Sequence, residues 1–138
     1  MNNTFSRTTF DWNKKYNWEN KLILIVEDII PNYEFIKAAI SKTKARIMWA
    51  KNGRLAVEMC KDNDDINLIL MDIKLPELDG YEATRQIKAF RPNIPIIAQT
   101  AYVMTNEKGK VLQAGCDDLI TKPIQINILL STVNKYIN

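Results

Sequence analysis

Short, almost wholly apolar runs alternate with longer amphipathic stretches from residue 21 onward. The runs are KLILIV (21–26), RIMWA (46–50), INLILM (66–71), PIIAQ (95–99) and DLIT (118–121). Their hydrophobicity is continuous, without the every-second-residue alternation of a half-solvated strand, so each predicts a strand covered on both faces, as in a parallel sheet. The intervening stretches carry helical spacing. Pro31–Lys44 places Phe35, Ile36, Ala39 and Ile40 on one stripe, and Pro31 suits a first helical turn. Further helices are predicted over Gly53–Lys61, Gly80–Phe90, Thr105–Ala114 and Gln125–Tyr136, with Gly115 in a C-cap position after the fourth.

Five strands alternating with five helices imply an α/β fold, a (βα)5 unit whose right-handed crossovers put helices on both faces of the sheet. Residues 1–20, rich in Asn, Thr and aromatics without a regular period, read as an N-terminal tail or linker ahead of one domain spanning 21–138. Phe10, Trp12, Tyr16 and Trp18 could dock on that domain or on a partner, but a partly ordered extension is the expectation.

The chain has 138 residues, 46% hydrophobic and 25% charged, enough for one core and too few for a second full domain. Nineteen basic and sixteen acidic side chains give +3, and residues 1–21 hold four of the bases against two acids. So slight and dispersed an excess argues against direct nucleic-acid binding or membrane contact. The absence of histidine excludes Ser-His-Asp and Cys-His triads, His-ligated zinc and a phosphohistidine relay within this chain. Cys60 and Cys116 stand far apart, outside any C-x-x-C, and read as reduced thiols of a cytoplasmic protein. No secretory h-region or membrane-length apolar run is present.

In open α/β sheets the ligand crevice lies beyond the carboxyl ends of the strands. The residues there are Glu27 and Asp28 after the first run, Asp72 after the third, Thr100 after the fourth and Lys122-Pro123 after the fifth. Three crowded carboxylates repel one another unless a cation neutralises them, and oxygen-only ligands favour a hard divalent ion, Mg²⁺ above Ca²⁺. A carboxylate facing such an ion can attack phosphorus, since the metal screens the anion-anion repulsion. Lys122 would add a second positive charge and Thr100 a hydrogen-bond donor. Taken singly, Glu27 and Asp28 equally suit the N-terminus of the following helix, and Asp79 suits a turn and helix cap, outside the site.

The segments LILIVED (22–28), LILMDIKLPELDGYEATRQIK (68–88), PIIAQTA (95–101) and DDLITKPI (117–124) closely resemble the receiver domain of response regulators, most of all the receivers attached to hybrid sensor histidine kinases. That resemblance covers nearly everything from residue 21 to 138. It implies a flavodoxin-like three-layer sandwich with a five-stranded parallel sheet in the order 2-1-3-4-5. It further implies Asp72 as phosphoacceptor, and Asp28, Glu27 and the Lys74 carbonyl as Mg²⁺ ligands beside Asp72. Thr100 matches the switch hydroxyl, Lys122 the phosphoryl-pairing lysine, and the Lys122-Pro123 bond is expected to be cis. The implied function is phosphotransfer from a phosphohistidine on a histidine kinase or histidine phosphotransfer protein, which switches a partner-binding surface. The domain would act as a monomer or weak homodimer that modifies itself and turns over no metabolite.

Two rival readings are weaker. A small phosphohydrolase with Asp72 as transient nucleophile would want a second acid two residues on, where Lys74 stands. A mononucleotide-binding protein would want a glycine-rich loop, and the four glycines are isolated. One departure from the receiver pattern stands out. Leu119 holds the position, three before Lys122, where receivers usually carry the aromatic partner of the threonine switch, so a smaller or rerouted conformational response is expected. Lys74 and Tyr102, two after Asp72 and Thr100, are placed to shield an acyl phosphate from water, which predicts slow loss of the phosphoryl group.

Overall fold

The computed structural model describes residues 16–101 and 107–137. Five strands form one parallel sheet: β1 (Leu22–Val26), β2 (Arg46–Ala50), β3 (Leu68–Asp72), β4 (Ile96–Thr100) and β5 (Asp118–Thr121), in the order β2-β1-β3-β4-β5. Five helices connect and follow them: α1 (Ile30–Ser41), α2 (Gly53–Asp62), α3 (Gly80–Phe90), α4 (Glu107–Ala114) and α5 (Ile126–Ile137).

The burial pattern matches the continuous apolar runs. Every residue of β1, β3 and β4 is buried, whereas β2 and β5, each with one neighbour, are partly exposed. Two cores flank the sheet. On one face Leu24, Val26, Ile69, Met71, Ile96 and Ala98 pack with residues of α2, α3 and α4. On the other, Ile23, Ile25, Leu68, Leu70, Ile97 and Ile120 pack with residues of α1 and α5. The pleat sends alternate residues of each strand to opposite layers, which places the two faces of the rim as firmly as the core.

Expected and observed elements differ mainly at their ends. β3 begins two residues later than the apolar run because Asn67 closes the edge, its backbone N–H donating to the Leu22 carbonyl and its side-chain oxygen accepting from the Leu22 N–H at 2.7 Å. The stripe on α1 needs correction. Tyr33, Ile36, Ala39 and Ile40 face inward, while Phe35 is 43% exposed. Tyr33 lies three residues before Ile36 and shares its face, whereas Phe35 is rotated about 100° away from Ile36. Gly115, at φ +109°, ends α4 as expected. The first part of the expected fourth helix, 105–106, lies outside the described residues.

Residues ahead of β1 are partly built into the domain. Trp18 is buried, its backbone N–H donates to the Thr43 carbonyl at 2.7 Å, and its indole N–H donates to Asn134 Oδ1 on α5 at 3.0 Å. Tyr16 packs beside it, with ring centroids 5.5 Å apart. Of the four aromatics singled out upstream, these two therefore dock on the domain, and Phe10 and Trp12 lie outside the described residues.

Candidate functional site

The carboxyl ends of β1, β3, β4 and β5 converge on one rim. Glu27 continues β1, its N–H donating to the Ala50 carbonyl at 3.0 Å, and is fully buried. Asp72 is the last residue of β3 and 3% exposed. Asp28, by contrast, is exposed at the mouth. One carboxylate oxygen from each of the three lies within 4.8 Å of the others, so together they could hold a metal ion.

Lys122 follows β5 directly. Its N–H donates to the Thr100 carbonyl at 2.8 Å, and the bond to Pro123 is cis. Its ammonium stands 3.2 Å from Asp72 Oδ1 and 3.5 Å from Glu27 Oε1. Asp72 Oδ1 also accepts from the Lys74 backbone N–H at 3.3 Å, while Glu27 Oε2 accepts from the Ile29 N–H at 3.2 Å. Glu27 does not cap α1, whose N-cap Ile29 has no side-chain cap bond; one of its oxygens accepts from the N–H of Ile29 just ahead of the helix and the other faces the site. Thr100 ends β4 beside Asp72, 6% exposed.

Two buried acids sharing one ammonium leave excess negative charge. Burial, and next the neighbouring Asp72 carboxylate, push the Glu27 carboxyl above its ordinary range; the Ile29 N–H and Lys122 oppose them without cancelling the rise. A dication among oxygen-only ligands would relieve this repulsion, and the donor set suits a hard ion. The two thiols contribute nothing here: Cys60 and Cys116 are buried in the core, which pushes each thiol up to about 11.

The structure thus brings together Glu27, Asp28, Asp72 and Lys122, and places Thr100 on the adjacent strand end. The Lys74 side chain is exposed, with only its backbone turned to Asp72; Tyr102 lies outside the described residues. Leu119 is half-buried against the α3 and α4 core, register-paired with Ala98. Asp79 caps α3, accepting from the Glu82 N–H at 2.9 Å, as its turn signature predicts.

Three contributors escaped the sequence reading. Gly80 is more than a turn residue, since a Cβ there would meet the Asp72 carbonyl oxygen at 2.3 Å. Trp49 donates its indole N–H to the Glu27 carbonyl at 2.8 Å while stacking on Tyr33, centroids 3.9 Å apart. Gln99, fully buried, is the register partner of Asp72, and neither its Oε1 nor its Nε2 has a hydrogen-bond partner among the described residues. The one signal for Gln99 was an amide inside an otherwise apolar run.

Among the described residues no helix is long and apolar enough to cross a membrane. A sequence profile of the response regulator receiver domain matches residues 23–134. Hybrid signal transduction histidine kinase I of Dictyostelium discoideum is 37% identical over 83% of this chain, which spans only 7% of that relative. The polar-differentiation response regulator DivK of Brucella anthropi is 33% identical over 85% of this chain and 96% of its own length. Among solved structures, the receiver domain of sensor histidine kinase PA1611 from Pseudomonas aeruginosa, with a magnesium ion in its active-site cleft, superposes with a TM-score of 0.79. It is 35% identical, over 86% of this chain and 98% of that one. A Saccharomyces cerevisiae co-crystal of the histidine phosphotransfer protein Ypd1 with the receiver domain of Ssk1 matches at TM-score 0.80. There the identity is 32%, over 86% of this chain and 90% of that chain.

Proposed function

The chain belongs to the response regulator receiver domain family of two-component and phosphorelay systems, and on that premise we propose that Asp72 is its phosphoacceptor. The observation that carries this reading is the position of Asp72: its Oδ1 is held by the Lys74 N–H and the Lys122 ammonium, and one of its carboxylate oxygens lies within 4.8 Å of an oxygen of Glu27 and one of Asp28. Glu27, Asp28, Asp72 and the Lys74 carbonyl would hold Mg²⁺, as the acid cluster and the magnesium in the PA1611 receiver support. Bound there, the ion would screen the approach of two anions and stabilise charge on the phosphoryl oxygens.

The remaining chemistry belongs to the chain. An Asp72 carboxylate oxygen attacks phosphorus in line, forming the O–P bond while the P–N bond of a phosphohistidine breaks, and the imidazole nitrogen leaves with the electron pair. Lys122 follows the negative charge from the carboxylate to the phosphoryl oxygens. Thr100 donates its hydroxyl to one of those oxygens. The phosphohistidine lies outside these 138 residues, which hold no histidine, on a histidine kinase or histidine phosphotransfer protein or on another domain; the Ypd1–Ssk1 co-crystal, a histidine phosphotransfer protein with a receiver domain, supports such a donor.

The domain modifies only itself and turns over no metabolite. We read the receiver unit as 21–138, with Tyr16 and Trp18 packed ahead of it, and residues 1–20 as its N-terminal tail or linker. Its surroundings are cytoplasmic, in keeping with two reduced, buried thiols. A small acyl-phosphate donor with Mg²⁺ should add one phosphoryl group to the wild type, read by intact mass, and Asp72→Asn should add none. A phosphorylated Asp72→Asn protein would overturn the assignment.

A further inference from the structure

The pleat and the strand register align a polar row across the sheet. Val26 pairs with Met71 and Asp72 with Gln99, so Glu27, Asp72 and Gln99 stand side by side at the ends of β1, β3 and β4, and all three are buried. Their side chains point to the α1/α5 face, the layer of Ile25, Leu70 and Ile97 two residues earlier on each strand. The first two members carry the charge and share the Lys122 ammonium. The third is neutral, fully buried, and unpartnered at both amide atoms among the described residues. A buried amide with no partner is costly, and its retention beside a phosphoacceptor asks for a second state in which it is used.

The chemistry of the row supplies that state. Lys122 occupies Glu27 Oε1 and Asp72 Oδ1, oxygens of the two buried carboxylates that would take a metal ion. A dication arriving there repels the ammonium and competes with it for the same two carboxylates. An ammonium carries three donors and no acceptor, so once displaced it takes new oxygens, from water at the mouth, where its side chain is 21% exposed, and from the polar row itself. Gln99 Oε1 is an acceptor left open there, on the strand next to Asp72.

We propose that Gln99 is a positioning residue that receives the Lys122 ammonium when a metal ion binds the acid cluster, keeping it at the rim for the incoming phosphoryl group. This inference rests on the reading of the acids as a metal site.

The test is a titration with MgCl₂ alone, followed by the side-chain amide NMR signal of Gln99, which Gln99→Leu identifies by its loss. In the wild type that signal should shift in step with the backbone amides of Asp28 and Asp72. Gln99→Leu should bind Mg²⁺ about tenfold more weakly, since a hydrogen bond to a charged donor is lost. Its thermal midpoint without metal should equal or exceed the wild-type value, because an unpaired amide has been removed; Gln99→Met serves if the leucine variant does not fold. The inference is overturned if the Gln99 amide stays still while Asp28 and Asp72 respond, if the affinity is unchanged, or if stability falls in parallel with affinity. Wild-type backbone amides that ignore Mg²⁺ would remove the metal-site reading itself, and this inference with it.

Discussion

Lys122 and Asp72, fifty residues apart in sequence, meet at 3.2 Å, and the same ammonium reaches Glu27 at 3.5 Å. The lysine side chain is 21% exposed and the two carboxylates 4% and 0%. Removing the cation strands two buried anions. Lys122→Met, which keeps the stem, should lower stability at neutral pH by about 3 kcal/mol in urea denaturation. Part of that loss should be recovered at acidic pH, where the Glu27 carboxyl, which burial raises above its ordinary value, protonates. A variant equally stable at both pH values would contradict this balance of charge.

Glu27 makes the metal-free fold pH-sensitive in a defined direction. Its carboxyl titrates above its ordinary value of 4.5 in the folded protein, so the folded state binds the proton more tightly than the unfolded chain. Its unfavourable contribution is absent below 4.5 and grows as pH rises through the raised value. Glu27→Gln should therefore stabilise the metal-free protein more at pH 7.5 than at pH 5, measured by chemical denaturation in chelator. The opposite order would mean that Lys122 outweighs burial.

Trp18 predicts that the domain does not start at β1. With its ring buried and its indole N–H bound to Asn134, Trp18→Ala should cost about 3–5 kcal/mol, read as a lowered denaturation midpoint. An unchanged midpoint would return residues 16–20 to the linker.

Gly80 should tolerate no side chain. A Cβ would meet the Asp72 carbonyl oxygen at 2.3 Å and the Ile73 Cα at 2.7 Å, both backbone, so Gly80→Ala must displace the end of β3. We expect slower phosphorylation by a small acyl-phosphate donor together with a loss of about 1–3 kcal/mol. Wild-type phosphorylation kinetics would show that the site accommodates the shift.

Leu119 is half-buried against the core without a polar handle, so it cannot pair with Thr100 through a ring hydroxyl. A phosphoryl mimic should change amide shifts around α4 and β5 less in the wild type than in Leu119→Tyr. Equally large changes in both would exclude a weakened switch.

The sheet was legible because β1, β3 and β4 are buried on both faces, and only that burial explains runs such as LILIV and LILMD. The acids and lysine were legible because open α/β sheets put their chemistry just past the strands. What stayed hidden depends on distances between chain segments. Trp49 reaches a Glu27 carbonyl on the neighbouring strand, and Gly80 is needed only because the next turn folds back onto Asp72. Phe35 was misplaced because apolar character alone cannot say which of two adjacent residues on α1 faces inward, once Tyr33 competes for the same stripe. Trp18 was hidden by the polar, aperiodic company it keeps in sequence.

The hydrogen bond from Trp18 to Asn134 also fixes where the polypeptide comes in and goes out. α5 runs back along the sheet, so its last turn sits beside the residues that lead into β1, about 16 Å of strand away from Asp72. Trp18 and the last turn of α5 thus lie side by side on the pole opposite Asp72. Such a module can be spliced into a much longer chain as though it were a surface loop, without crowding the docking of a phosphate donor.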